Sequence, residues 1–167
     1  TLQWRGYRTK RPDQVFRELD HLVRRHQVLS LAFADNAFPQ NHAASIFDGI
    51  RDSARDLSIF TELRADTPPD ILRKMRQAGV DTVQVGIEAL ATPLLDKMNK
   101  GLRAIDNLGL MKHCEALGIV NAANLMLHFP DSDDADVKDT LRALRFALWY
   151  RPLKTVSFWL GLESPAY

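Results

Sequence analysis

Residues 67–88, TPPDILRKMRQAGVDTVQVGIE, read as one helix followed by one buried strand, and that pairing decides the fold. Thr67-Pro68-Pro69-Asp70 is a helix-start signal: an N-cap hydroxyl, proline in the first turn with φ already set, and an acid three residues after the cap. Ile71, Leu72, Met75 and Ala78 then share one helical face. Gly79 supplies the left-handed stop. Thr82-Val83-Gln84-Val85-Gly86-Ile87 follows as an apolar strand that ends at Glu88.

Four other apolar runs end in polar residues in the same manner. Leu29-Ser30-Leu31-Ala32-Phe33-Ala34 runs into Asp35 and Asn36, and Leu57-Ser58-Ile59-Phe60 runs into Glu62, Arg64 and Asp66. Residues 120–123 lead to Asn124 and His128, and residues 155–160 lead to Glu163. Helical patterns fill the intervals. Val15, Phe16, Leu19, Leu22 and Val23 recur after Pro12, and Ala43, Ile46, Phe47, Ile50 and Ala54 after Pro39. Thr92-Pro93 opens a short helix that stops near Gly101, residues 104–117 form another that ends at Gly118, and Asp131 to Asp134 cap a last helix carrying Val137, Leu141, Leu144 and Leu148.

The order is α-β-α-β-α-β-α-α-β-α-β, with strand centres roughly 25 to 40 residues apart, the size of a βαβ unit. Such crossovers are right-handed and give a parallel sheet whose strand carboxyl ends share one face. The sequence therefore predicts an α/β fold: an incomplete parallel (β/α) barrel of about five strands in one domain, 1–167, with polar residues gathered at one rim. The leading helix has no strand before it, so the chain reads as a fragment whose first strand lies upstream. The open edge near residue 29 is then expected to self-associate or to be covered by another segment.

Composition narrows the function. Apolar residues make up 46% and charged residues 26%, with 22 basic against 21 acidic side chains. That balance asks for neither nucleic acid nor an anionic membrane as partner. No apolar run approaches the roughly 20 residues of a membrane span. Cys114 is the single cysteine. It permits no disulfide within the chain, fits a reducing cytoplasm, and cannot by itself make a multi-cysteine metal or cluster site.

Gly86 within a strand points to close approach of a ligand or of neighbouring backbone. Glu88 beyond it can accept from ligand hydroxyls or cap the next helix. Asp35 and Asn36 can hold an ammonium group or cap the helix that follows. Alternation puts Glu62, Arg64 and Asp66 on one face, where charges need pairing or a charged ligand. Asn124 needs polar partners in an apolar strand. His128 is a candidate acid or ligand. No Walker loop, dinucleotide fingerprint or His-x-x-x-His pair is present.

These residues resemble the core of radical S-adenosylmethionine enzymes, most closely the cobalamin-domain and peptide-maturase members, over nearly all of the chain. The resemblance is carried by Tyr7-Arg8-Thr9-Lys10, by Ala34-Asp35-Asn36, by residues 83–90 with Met98-Asn99-Lys100-Gly101 and Asn107, by residues 124–130, and by Ser164-Pro165-Ala166-Tyr167. It implies S-adenosylmethionine as cofactor and a 4Fe-4S cluster in the parent, with cobalamin in some members. The cofactor would be cleaved to a 5′-deoxyadenosyl radical or used for methyl transfer, with a peptide among the substrates. Asp35 and Asn36 would hold the amino group, Glu62 and Arg64 the amino-acid end, Gln84 and Glu88 the ribose, and Asn124 the adenine. The family's three cluster cysteines are absent here, and His128 and Asp131 stand where the family usually has glycine. Two other readings compete: a metal- or phosphate-dependent barrel enzyme using Glu62, Asp66, Glu88 and His128, and a non-catalytic binding domain.

Overall fold

The computed structural model describes residues 9–34 and 40–160. Among these, six helices alternate with short strands: α1 (Pro12–His26), β1 (Ser30–Ala32), α2 (Gln40–Asp52), β2 (Ser58–Leu63), α3 (Pro69–Gln77), β3 (Val80–Val85), α4 (Thr92–Lys97), α5 (Ala104–Leu117), β4 (Val120–Asn121), β5 (Asn124–Leu127), α6 (Asp134–Ala147) and β6 (Lys154–Ser157). All of these strand pairs are parallel, in the orders β1-β2-β3-β4 and β5-β6. The expected rhythm is therefore present, with one difference.

The fourth apolar run is not one strand. Its first part pairs with β3 through Thr82↔Val120 and Val83↔Asn121. The ladder resumes at the single bridge Glu88↔Leu125, while residues 124–127 pair with 154–157. One more residue lies between Val83 and Glu88 than between Asn121 and Leu125. That excess is a bulge, which bends a strand and ends regular pairing. β4 and β5 are thus two halves of one bent strand linking both sheets into a five-stranded partial barrel.

Helices cover one face of the sheet. Ile59, Thr61 and Leu63 of β2 and Val83 and Val85 of β3 point into the helix-facing core, with Phe47 and Ile50 of α2 and Leu72 and Met75 of α3. The alternate positions Ser58 and Gln84 are exposed, and Phe60 and Glu62 are half-buried. α1 lies against α2 closely enough that a Cβ at Gly49 would come 2.2 Å from Phe16 Cζ. An Arg55–Asp20 ion pair fastens the same crossing. β1 pairs on one side only among the described strands.

Local signals met three departures. Pro68, not Thr67, is the N-cap of α3, at φ −60 and ψ 143, because a residue before proline is held in extended conformation. The Thr67 hydroxyl instead donates to Arg64 O at 2.7 Å. Ala54 falls beyond α2, at φ 52, and is exposed. On α6, Val137, Leu141 and Leu148 are exposed, and Asp136 and Ala147 are the residues it buries. No described helix is long and apolar enough to cross a membrane.

Gly79 closes α3 at φ +97, and a Cβ there would lie 2.2 Å from Leu57 O. Gly79→Ala is expected to cost about 3 kcal/mol through backbone strain and clash. Gly109 lies inside α5 with nothing within 4 Å of an added Cβ. Gly109→Ala should stabilise by about 0.5–1 kcal/mol, the helix-interior penalty of glycine. Urea melts of the two variants check both signs.

Candidate functional site

The open sheet face gathers the polar residues. Glu62 and Gln84 are register partners on β2 and β3. Neither side chain has a hydrogen-bond or ion-pair partner among the described residues. Gly86 follows two residues beyond Gln84, just past the end of β3, and the Glu88 side chain lies against it. An added Cβ at Gly86 would lie 3.4 Å from Lys100 Nζ and 3.6 Å from Glu88 Oε1. Those are ordinary contacts with side-chain tips. Packing within the chain therefore does not demand glycine here, and the missing Cβ leaves a gap on the floor of the open face.

Glu88 is held in an unusual backbone state. Its φ is +56, and Ala89 N–H donates to Ile87 O at 2.6 Å across it. This is a γ-turn with its central residue at positive φ, a rare and strained form. Glu88 N–H still donates to Asn124 O at 3.1 Å, and Glu88 O accepts from Met126 N–H at 2.7 Å. The carboxylate pairs with Lys100 Nζ at 3.3 Å, with both side chains largely covered. It does not cap α4, whose N-cap is Ala91.

Lys100 arrives by a helix-end hook. Asn99 N–H donates to Asp96 O and Lys100 N–H to Leu95 O, with Asn99 at φ 53. This Schellman geometry reverses the chain after α4. At the other end of the same helix turn, Lys97 Nζ bonds Asp133 at 2.8 Å and the buried Asp136 at 2.6 Å, the capping box of α6. Lys97 holds the Asp133 carboxyl below its ordinary range, and Asp133 first, then Asp136, raises the Lys97 ammonium.

Four of the residues singled out in sequence are thus adjoining: Glu62, Gln84, Glu88 and Asn124. Arg64 sits at the rim, engaged with Asp66 at 3.2 Å and reaching Lys100 O at 3.5 Å. Asp35, Asn36, Glu163 and residues 164–167 lie outside the described residues. His128 is exposed at φ 60, keeping the left-handed backbone that glycine would favour at that turn. The set Glu62, Asp66, Glu88 and His128 does not converge: among the described residues no three His, Cys, Asp or Glu side chains come together as metal ligands. Sequence reasoning left two contributors without a role, Lys100 and Asn107. Lys100 was visible as Asn-Lys-Gly after a short helix; Asn107 as an amide on an apolar helix face.

The pattern of the Radical SAM superfamily matches residues 2–144. The chain belongs to the radical SAM superfamily. An uncharacterized methyltransferase of Pyrococcus horikoshii is 25% identical over 143 residues, covering 84% of this chain and 30% of its own length. The anaerobic magnesium-protoporphyrin IX monomethyl ester cyclase of Rubrivivax gelatinosus is 28% identical over 149 residues, covering 85% and 26%. This radical SAM chain thus spans under a third of either relative. Its fold is that of the cobalamin-dependent S-adenosylmethionine radical enzyme OxsB, at TM-score 0.74, 19% identity and 83% coverage of this chain and 23% of that one. The methyltransferase TsrM of Kitasatospora setae, solved with tryptophan and aza-SAM, superposes at TM-score 0.73 with 18% identity and coverage of 88% and 30%.

The radical SAM chain fits one family cofactor and not the other. Carboxylates, an ammonium and an amide around the Gly86 gap suit the amino-acid and ribose groups of S-adenosylmethionine. A cluster needs several thiolates, and Cys114 is buried in α5, its thiol pushed up to about 11 by desolvation. Anaerobic reconstitution of residues 1–167 with iron and sulfide should leave the chain without a cluster. A full 4Fe-4S complement per chain would contradict this.

The Lys97 clasp has a pH signature. Lys97→Met is expected to melt earlier through the neutral range. The gap should narrow as pH falls below the ordinary Asp value of 3.8, where Asp133 is titrated through its depressed folded value. It should narrow again above 10.5, as Lys97 loses its proton through a raised one. Melting curves across pH test both limits.

Proposed function

We propose that this chain is the S-adenosylmethionine-binding part of a radical SAM enzyme, and that Glu62, Gln84, Glu88 and Asn124, with Asp35 and Asn36, contact the cofactor. The observation that carries the reading is the Gly86 gap: a glycine that packing does not require, flanked by a strained carboxylate and its lysine. When bound, the cofactor and the parent's cluster supply radical or methyl-transfer chemistry. The chain's own residues orient and bind. Glu88 accepts from ribose hydroxyls, Gln84 donates and accepts beside it, and Glu62 faces the ammonium. Lys100 holds the Glu88 carboxylate in place before the ligand arrives. Arg64, at the rim, reaches the methionyl carboxylate by exchanging Asp66 for it.

The methyltransferase and the cyclase among its relatives support methyl transfer or ring closure as the outcome in the whole protein, and the cobalamin bound by OxsB and TsrM supports cobalamin as a second cofactor. The resemblance to peptide-maturase members adds a peptide to the substrates of this proposal.

In the full-length protein, reconstituted anaerobically, Glu88→Ala and Asp35→Ala should each weaken S-adenosylmethionine binding. Charge-assisted hydrogen bonds of about 1.5–3 kcal/mol correspond to roughly 10- to 150-fold in Kd. Calorimetric titration beside melting curves decides. Variants that melt earlier yet bind the cofactor normally would reduce these residues to caps and ion-pair partners.

A further inference from the structure

Asn107 is fully buried on α5, and its amide bonds backbone carbonyls rather than a polar side chain of the open face. Its amide nitrogen donates to Ile87 O at 3.0 Å and to Ala89 O at 2.8 Å. Those are the carbonyls on either side of Glu88. Both amide protons are therefore spent on one γ-turn, and two acceptors facing the nitrogen fix the amide's orientation. The oxygen, Asn107 Oδ1, is buried without a partner. An orphaned buried acceptor is a cost that an apolar residue of similar size would avoid. Asparagine at this position is explained by what its nitrogen does.

We propose that Asn107 is a positioning residue for cofactor binding: it clamps the turn at 87–89 and so holds Glu88 at positive φ with its carboxylate over the Gly86 gap. Without the clamp, the favoured backbone for a glutamate is at negative φ. Rotation there swings the Cα–Cβ bond away from Lys100 and from the open face. The strained state persists because surrounding structure over-determines it: the bridge to Asn124 and Met126 on one side, the Asn107 amide on the other. The site thus depends on α5, a helix that contributes no ligand-facing group to it.

This inference rests on the reading of Glu88 as a cofactor-contacting carboxylate, and a double-mutant cycle separates the two. The full-length, anaerobically reconstituted protein is titrated with S-adenosylmethionine as wild type, Asn107→Leu, Glu88→Ala and the double variant. Leucine keeps the volume and removes the donors. Asn107→Leu is expected to raise Kd about tenfold in the native background and less than twofold when Glu88 is already alanine, since the residue acts through Glu88. An equal fold-change in both backgrounds, or an unchanged Kd in Asn107→Leu, overturns the positioning role, whatever the melting temperature does. Should Glu88→Ala itself bind as wild type, the site reading fails first and this inference with it. If the leucine variant does not fold, Asn107→Ser takes its place in the cycle, and the same fold-changes support or overturn the role.

Discussion

One additional residue in the third strand governs the geometry of this chain. A parallel ladder pairs residues one to one, and the excess between Val83 and Glu88 cannot be absorbed by regular strand. It is taken up as two successive i→i+2 turns, Ile87 N–H to Val85 O and Ala89 N–H to Ile87 O. The consequence runs in two directions. Opposite β3, the partner strand breaks at Ala122-Ala123, which lets β5 turn and pair with β6. Just beyond β3, the Asn107 amide donates to the Ile87 and Ala89 carbonyls of the second turn. Bulge, strand break and amide clamp are one physical event seen from three elements.

The two faces of the sheet divide the work. Ile59, Thr61, Leu63, Val83 and Val85 are packed under α2, α3 and α5, and the free energy of folding comes from that side. Phe60, Glu62, Gln84 and Gly86 alternate with them and see the open side. A charged residue on the open face keeps access to water, so Glu62 needs no internal counter-ion, whereas the same carboxylate one position along would be buried among apolar side chains at a cost of several kcal/mol. The alternation that makes the core thus places the polar groups of the open face in water without a stability penalty. Substitutions on this face should act on binding far more than on melting.

How much of this could be read from sequence depends on the range of the interaction. The βα rhythm, the start at Pro12, the stop at Gly79 and the packed Cys114 all follow from local rules, and the structure agrees. The pairing of Glu62 with Gln84 follows as well, because strand period and parallel topology together fix which residues lie side by side. The N-cap signal at Thr67 misleads because two prolines in succession move the helix start by one residue. The split of the fourth strand is illegible because nothing in residues 120–127 encodes it: the extra residue lies in the partner strand. Asn121 is instead the buried asparagine of that run, both amide atoms without a partner, while Asn124 is half-exposed. The apolar face of α6 is legible as a pattern, but a pattern says that a face is apolar, not what covers it.

Lys100 escapes a reading of the sequence for a related reason, and its case shows how a loop can be as well defined as a strand. Lys97 and Lys100 are three residues apart, a spacing that would put them on one side of a continued helix. The left-handed Asn99 ends the helix between them and sends them to different partners. Lys97 is tied to the capping box of α6, and Lys100 to Glu88, while Gly101 at φ 63 and the Thr92 hydroxyl, which accepts from Ala104 N–H at 3.1 Å, lead the chain directly into α5. The loop is thereby anchored to α6 before the turn and to α5 after it. α5 carries Asn107. The Glu88 counter-ion and the Asn107 amide are only seven residues apart, on one segment anchored at both ends. A free lysine on a mobile loop would lose much of its attraction for Glu88 to side-chain and backbone entropy. Held this way, the ion pair is preorganised, its entropic cost met by the fold rather than by the contact itself.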